Sequence, residues 1–304
     1  MKILQNAGEI VDLLITERIA QWNDVILQDS SNRHCIDLLE NMVSLTADTI
    51  GLYTFSERFC GSLSHSFHIV LTMLGWKIWQ DALLPFVKYI PTPANVRYWF
   101  HLRELKRRIS KLIQNRLQMT SSQRQDYHDV LSLMLIELDN GTAAPKMNIT
   151  QLRDECIGLV FAGHDTTAST LSWIFYTLAE HPNAQDKVRK ELENELGNLS
   201  APPTLADLEK LKFTGAVIKE VLRLYPPATI GRTSLQETKI GEHTIPAGSE
   251  LFLNIYAMHR SKRYWGPSPD EFDPERFMRP QTEEETLNYL PFGGAPRSCV
   301  GMRL

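Results

Sequence analysis

The sequence predicts a mainly α protein of the α+β kind, and three observations carry that expectation. Apolar residues recur at helical spacing through the first two-thirds of the chain. After Pro226-Pro227 short alternating runs replace the long ones. From His259 to Leu290 no period persists, while Pro267, Pro269, Pro274 and Pro280 accumulate as in an ordered coil. A length of 304 residues accommodates one large domain or two ordinary ones. With 43% apolar and 22% charged residues the chain has the means to build a packed core, so disorder is not the default reading. A net charge of −4 argues against nucleic acid as a partner.

The elements follow in order. Ile69 to Phe86 is the most apolar stretch, but Lys77, Gln80 and Asp81 interrupt it. It falls short of the roughly 18 to 20 apolar residues of a membrane span and predicts a core helix. Leu102, Leu105, Ile109, Leu112 and Ile113 share one helix face, and Arg103, Lys106, Arg107, Arg108, Lys111 and Arg116 form its expected solvated side. Gly141 to Lys146 reads as a loop. Ile149 to His181 is a long helix closed by Pro182, and Asn183 to Leu196 an exposed one rich in Lys and Glu. Pro202-Pro203 marks a loop, and Thr204 with Asp207 three residues on resembles a capping box. Phe213 to Leu224 is a further helix, stopped by Pro226-Pro227. Thr238–Ile240, His243–Ile245 and Leu251–Asn254 are expected strands, divided by turns at Gly241-Glu242 and Pro246-Ala247-Gly248.

Of the cysteines Cys35, Cys60, Cys156 and Cys299, none pairs as Cys-x-x-Cys. Four in a chain this long make no disulfide framework, which fits a reducing, cytosol-facing setting. Taken alone, each is expected to be a small buried apolar residue. The N-terminal run Ile3-Leu4 breaks at Gln5-Asn6, too early for a signal core.

Four segments carry chemistry. Ala162-Gly163-His164-Asp165-Thr166-Thr167 places glycine, aspartate and threonines inside the long helix, where all are poor formers. A threonine hydroxyl competing for helix carbonyls predicts a distorted turn, with room for a small ligand and with Asp165 and Thr166 able to pass protons. An ordinary kinked helix is the alternative. Glu220 and Arg223 share a helix face, and by themselves read as an exposed ion pair. Pro274-Glu275-Arg276-Phe277 offers a second arginine that could tie the coil to Glu220. Phe292-Gly293-Gly294-Ala295-Pro296-Arg297-Ser298-Cys299-Val300-Gly301 sets a cysteine in a glycine-bearing loop with a cation two residues away. A positive charge and exposed backbone N–H groups favour thiolate, a good soft metal ligand.

Together and in this order, the four segments resemble the signatures of the cytochrome P-450 family of haem-thiolate monooxygenases. The proton-relay helix is similar to Ala162–Thr167, the Glu-x-x-Arg helix to Glu220 and Arg223, and the meander to Pro274–Phe277. Phe292, Arg297, Cys299 and Gly301 fall on the family's Phe-x-x-Gly-x-Arg-x-Cys-x-Gly loop. One position departs: the family's glycine three after the phenylalanine is Ala295 here, with Gly294 one earlier.

The resemblance implies an incomplete cytochrome P-450 fold in a single partial domain. Residues 1–148 would be mid-chain helices, 149–227 the oxygen-activation and Glu-x-x-Arg helices, and 228–304 the β element, meander and haem-thiolate loop. It implies haem b as cofactor, with Cys299 the axial iron ligand. Ala162 and Gly163 would leave room for oxygen, and Asp165 and Thr166 would deliver protons on the dioxygen side. Arg297 and Arg232 would neutralise haem propionates, and Glu220, Arg223 and Arg276 would form a structural triad. The implied reaction inserts one oxygen atom of O2 into an apolar organic substrate, a fatty acid or other lipid. An NAD(P)H-linked reductase or ferredoxin would donate the electrons. Membrane association would reside in a segment preceding this chain, at the endoplasmic reticulum in a eukaryote, whereas a bacterial protein would be cytoplasmic. The chain is expected to lack both ends of the family's domain, and therefore to be unstable or poor in haem by itself. Two rival readings stand beside this one: an inactive fragment, and a haem-thiolate isomerase or dehydratase, against which Asp165-Thr166 argues.

Overall fold

The computed structural model describes residues 2–28, 35–59, 62–84, 86–141, 147–197 and 203–303. Cys60, Pro202 and most of the expected loop before Lys146 lie outside them. The chain divides into two compact units, residues 1–168 and 169–304, and the helix Ile149–Glu180 (α7) passes from the first into the second.

The first unit is helical: α1 (Lys2–Gln28), α2 (Leu38–Phe55), α3 (Ser62–Leu83), α4 (Pro93–Leu117), α5 (Ser121–Gln125), α6 (Val130–Asp139) and the first part of α7. Its starts are set by side chains that accept from orphan N–H groups of the first turn. Asp37 takes the Glu40 amide, Thr92 the Asn95 amide, Thr120 the Gln123 amide and Asp129 the Ser132 amide. Leu105, Ile109 and Ile113, the face expected on α4, are wholly buried with Leu131, Leu135, Leu152, Cys156 and Val160. Rings of Phe55, Phe59, Phe67 and Phe161 continue that core at centroid spacings of 5.2–5.7 Å. Cys156 is a core residue, and burial pushes its thiol up to about 12. The apolar stretch from Ile69 falls on α3, and among the described residues no helix is long and apolar enough to cross a membrane.

One member of the expected solvated face of α4 is not solvated. Arg116 is 7% exposed. Its Nη1 donates to Asp129 Oδ2 at 2.8 Å and to the Ser132 hydroxyl, and its Nη2 to the Phe55 carbonyl at 3.0 Å. Asp129 also accepts from Ser56 Oγ at 2.7 Å. Helical spacing at the end of α4 turns Arg116 inward, beside Ile113, and the aspartate that caps α6 supplies the counter-charge.

The second unit holds the rest of α7, then α8 (Pro182–Leu196), α9 (Leu205–Leu208) and α10 (Lys212–Leu224). Pro182 both ends α7 and serves as the first residue of α8, where its missing N–H costs nothing. The Thr204–Asp207 capping box forms and opens α9. On α10, Phe213, Ala216, Val217, Glu220, Val221 and Leu224 line one buried face. The strands make two antiparallel pairs: β1 (Ile230–Thr233) with β4 (Glu250–Leu253), and β2 (Thr238–Ile240) with β3 (His243–Ile245). β2 and β3 lie where the alternation puts them, and β4 begins one residue earlier. β1 is an addition to the expected strands. A single turn, α11 (Ile255–Met258), precedes the stretch expected as irregular coil, and short turns punctuate it: α12 (Lys262–Trp265), a 3₁₀ turn at Pro274–Phe277 and α13 (Glu283–Leu287).

Candidate functional site

Glu220 and Arg223 are both fully buried, so the pair is not the exposed one its local spacing suggests. Glu220 grips Arg223 with both oxygens, Oε2 accepting from Nε at 2.8 Å and Oε1 from Nη2 at 2.7 Å. The remaining donors of the guanidinium reach carbonyls of the coil: Nη1 to His259 and Pro269, Nη2 to Glu271. All five N–H groups of the arginine are thereby used. Glu220 Oε1 also accepts the Asp273 amide at 2.9 Å. Arg276 joins the cluster: its Nε stands 3.5 Å from Glu220 Oε1, and its Nη atoms donate to the carbonyls of Trp265 and Ser268. Charge compensation and backbone ties thus bind the meander to α10.

The cysteine loop follows. Cys299 is an exposed free thiol, in contrast to buried Cys156. Its N–H donates to the Phe292 carbonyl at 2.8 Å, which closes the loop, and the amides of Gly293 and Arg297 donate to Leu290 and Gly294 carbonyls within it. Gly293 has φ +73°, and a Cβ there would meet Ile230 Cδ1 of β1 at 3.5 Å. Ala295 is not among the positive-φ residues, and a Cβ at Gly294 meets only Leu290 Cδ2 at ordinary contact, 3.8 Å. The position whose backbone requires glycine is Gly293, so the methyl of Ala295 is accommodated without strain. A Cβ at Gly301 would stand 3.8 Å from Cys299 Sγ. Arg297 is exposed, and its side chain makes no hydrogen bond or ion pair among the described residues.

Ile230 of β1 lies against this loop, and Arg232, two residues on, projects from the same strand face. Arg232 is exposed and its Nη1 donates to the Gly231 carbonyl at 2.7 Å. An exposed thiol in a closed glycine loop, with one arginine on the loop and another on the adjoining strand, suits an anionic planar macrocycle carrying a soft-ligand metal.

In the first unit, Gly163 faces α2: a Cβ there would come within 2.7 Å of Ile50 Cδ1. Room at this turn lies beside Ala162, which is exposed. α7 keeps its α-helical backbone through this turn. Thr166 Oγ1 donates to the Ala162 carbonyl at 2.6 Å, and Thr46 Oγ1 of α2 lies 3.0 Å from the His164 carbonyl. Asp165 and Thr166 are half-buried. His164 is fully buried, and neither ring nitrogen completes a hydrogen bond among the described residues, although the Val43 carbonyl is close enough to favour the charged form slightly. Burial outweighs that and lowers its pKa. Asp165 and Thr166 belong to the first unit and Cys299 to the second.

Three residues of the second unit had no signal in the sequence: His259, Trp265 and Tyr289, whose rings form one cluster with Phe277 of the meander at centroid spacings of 5.0–6.2 Å. Their neighbours in space are 6 to 70 residues away in sequence, and no local spacing marks them. For Gly293 the signal was its place in a double glycine.

The family model for cytochrome P450 matches residues 4–304. The chain belongs to the cytochrome P450 family. Among curated relatives of this P450, a cytokinin hydroxylase of Arabidopsis thaliana is 32% identical over 88% of the chain and 52% of its own length. Cytochrome P450 72A397 of Kalopanax septemlobus is 30% identical over 94% of the chain and 56% of its own length. Cyclooctatin synthase of Streptomyces melanosporofaciens is 30% identical over 94% and 63%. The chain spans about half the length of the curated relatives it matches. The cofactor of the family is haem b, which the donor set around Cys299 fits.

Proposed function

We propose that the protein bearing this chain is a haem-thiolate monooxygenase that inserts one oxygen atom of O2 into an apolar organic substrate. The observation that carries the reading is Cys299, an exposed free thiol fixed by its own N–H to Phe292 in a loop turned at Gly293. Bound haem, which the Cys299 thiolate would hold, would supply dioxygen activation. Phe292 and Gly301 shape the loop around Cys299, and Arg297 and Arg232 would hold the propionates. Ala162 offers the open side of α7, where Thr166 keeps a proton at Oγ1 and Asp165 stands beside it. Glu220, Arg223 and Arg276 act as scaffold. Hydroxylation is the chemistry in the name of the Arabidopsis relative and is the reaction class carried over here. We assign the substrate to the fatty-acid or lipid class, and electron supply to an NAD(P)H-linked reductase or ferredoxin. The protein is placed facing the cytosol, on the endoplasmic reticulum in a eukaryote.

The test is spectroscopic. The reduced, haem-loaded protein exposed to carbon monoxide should give the strongly red-shifted Soret band of thiolate ligation, and Cys299→Ala should abolish it. Stoichiometric haem without that band overturns the assignment.

A further inference from the structure

The residue that couples the buried ion pair to the cysteine loop lies outside both. His259 is fully excluded from solvent. Its Nε2 accepts the Leu290 amide at 3.0 Å, and its Nδ1 lies 3.1 Å from the Arg223 carbonyl. A ring nitrogen that accepts a backbone N–H carries no proton, so Nδ1 is the protonated atom and donates to Arg223. The imidazole is therefore held neutral in one tautomer with both nitrogens satisfied. Its own carbonyl accepts from Arg223 Nη1 at 2.8 Å. The ring stacks on Tyr289 at 5.5 Å and 24° and meets Trp265 edge-on. Leu290 is the last anchored residue before the loop: its carbonyl takes the Gly293 amide, and two residues on Phe292 takes the Cys299 amide.

We propose that His259 is a positioning residue for the thiolate: it pins the Leu290 amide, and through it the entry of the cysteine loop, to the backbone of the Glu220–Arg223 helix. The proposal rests on Cys299 as the haem ligand, but the contact it invokes is independent of haem. It assigns this ring a role that none of the four sequence segments contains. Among the described residues, the hydrogen bonds within Leu290–Cys299 join backbone groups, and the side chain that holds the Leu290 amide comes from outside the loop.

The experiment compares the haem-loaded wild type with His259→Phe, His259→Gln and the control Val217→Ala. Phenylalanine keeps the ring and its stacking and loses both hydrogen bonds. Glutamine restores one donor and one acceptor at the side-chain tip. Val217 is buried on the face of α10 that carries Glu220, and its truncation measures general loosening of the unit. Amide exchange of residues 288–299 is read against exchange of the α10 amides, and the ferrous carbon-monoxide spectrum is recorded in parallel. With a buried N–H left unpaired, His259→Phe should speed loop exchange about tenfold beyond any change in α10. It should also convert part of the red-shifted band to the unshifted form. His259→Gln should recover most of both, and Val217→Ala should change loop and helix together. Equal loop-to-helix ratios in His259→Phe and Val217→Ala overturn the proposal, as does an unaltered ratio in His259→Phe. A wild type that binds haem without the red-shifted band overturns the ligand assignment instead, and the exchange ratios then decide the His259 contact separately.

Discussion

Glu220 and Arg223 stand three residues apart on α10 with neither side chain touching water, and the carboxylate takes the guanidinium with both oxygens. Such a pair contributes little net stability against an apolar replacement, but removing one partner strands a buried charge. Glu220→Gln should therefore destabilise the protein by about 3–5 kcal/mol in chemical denaturation. Arg223→Lys should lose a comparable amount, since a single ammonium cannot reach Glu220 and three coil carbonyls at once. Either variant unfolding like wild type would show that the coil holds without the ion pair.

The cysteine loop should distinguish its glycines. Gly293→Ala places a methyl at φ +73° and should cost about 1–2 kcal/mol, with faster haem release. Gly294→Ala should be close to neutral, because the added Cβ finds ordinary contact distance and an unstrained backbone. Haem-transfer rates to an excess of apomyoglobin read both.

On α7, Gly163 is held to glycine by its neighbour. Gly163→Ala should destabilise by about 1–3 kcal/mol through the clash with Ile50 Cδ1. Ile50→Val removes that atom, so the double variant should be more stable than the sum of the single changes predicts. Strict additivity in thermal denaturation would place the cost elsewhere.

The acid side of the stability curve should carry the imprint of His259. Burial, with Arg223 and Arg260 nearby, lowers its pKa to about 4, while the Arg223 carbonyl opposes the shift. Above about pH 6.5 the ring is neutral in both folded and unfolded chains and contributes no pH dependence. Between about 6.5 and 4 the unfolded chain binds a proton that the folded chain refuses, so stability falls as pH falls. The loss is on the order of 3 kcal/mol when the window has been crossed. His259→Gln should flatten the slope between pH 6.5 and 4.5 relative to wild type, whereas carboxylates titrate alike in both. His164, lowered by burial too, adds a slope of the same sign that His164→Leu would remove.

What the sequence revealed depended on how local the signal was. The helices α7, α8 and α10 and the β2–β3 hairpin carry their own period, proline stops and turns within their own span, and each forms where expected. β1 was missed because Ile230-Gly231-Arg232-Thr233 does not alternate; it is a strand through its pairing with β4, some 20 residues later. The single turns at Ile255 and Glu283 are too short to show a period and are set by Asn254 and Thr282 caps. Within the candidate site, Cys299, Glu220 and Arg223 could be named from motifs, but the full burial of the pair could not, because the atoms that enclose it come from residues 259–276. Arg116 was misplaced for the same reason: its counter-charge, Asp129, lies on another helix cap.

The guanidinium of Arg223 stitches together a stretch with hardly any regular pairing of its own. Because the ties at His259, Pro269 and Glu271 run to main-chain oxygens, they are indifferent to which side chains those positions bear, and for 269 and 271 sequence is free to drift. Spacing is not. Inserting or deleting one residue between 260 and 270 would carry a carbonyl out of reach of a rigid fork, so this coil tolerates substitution far better than any change in length.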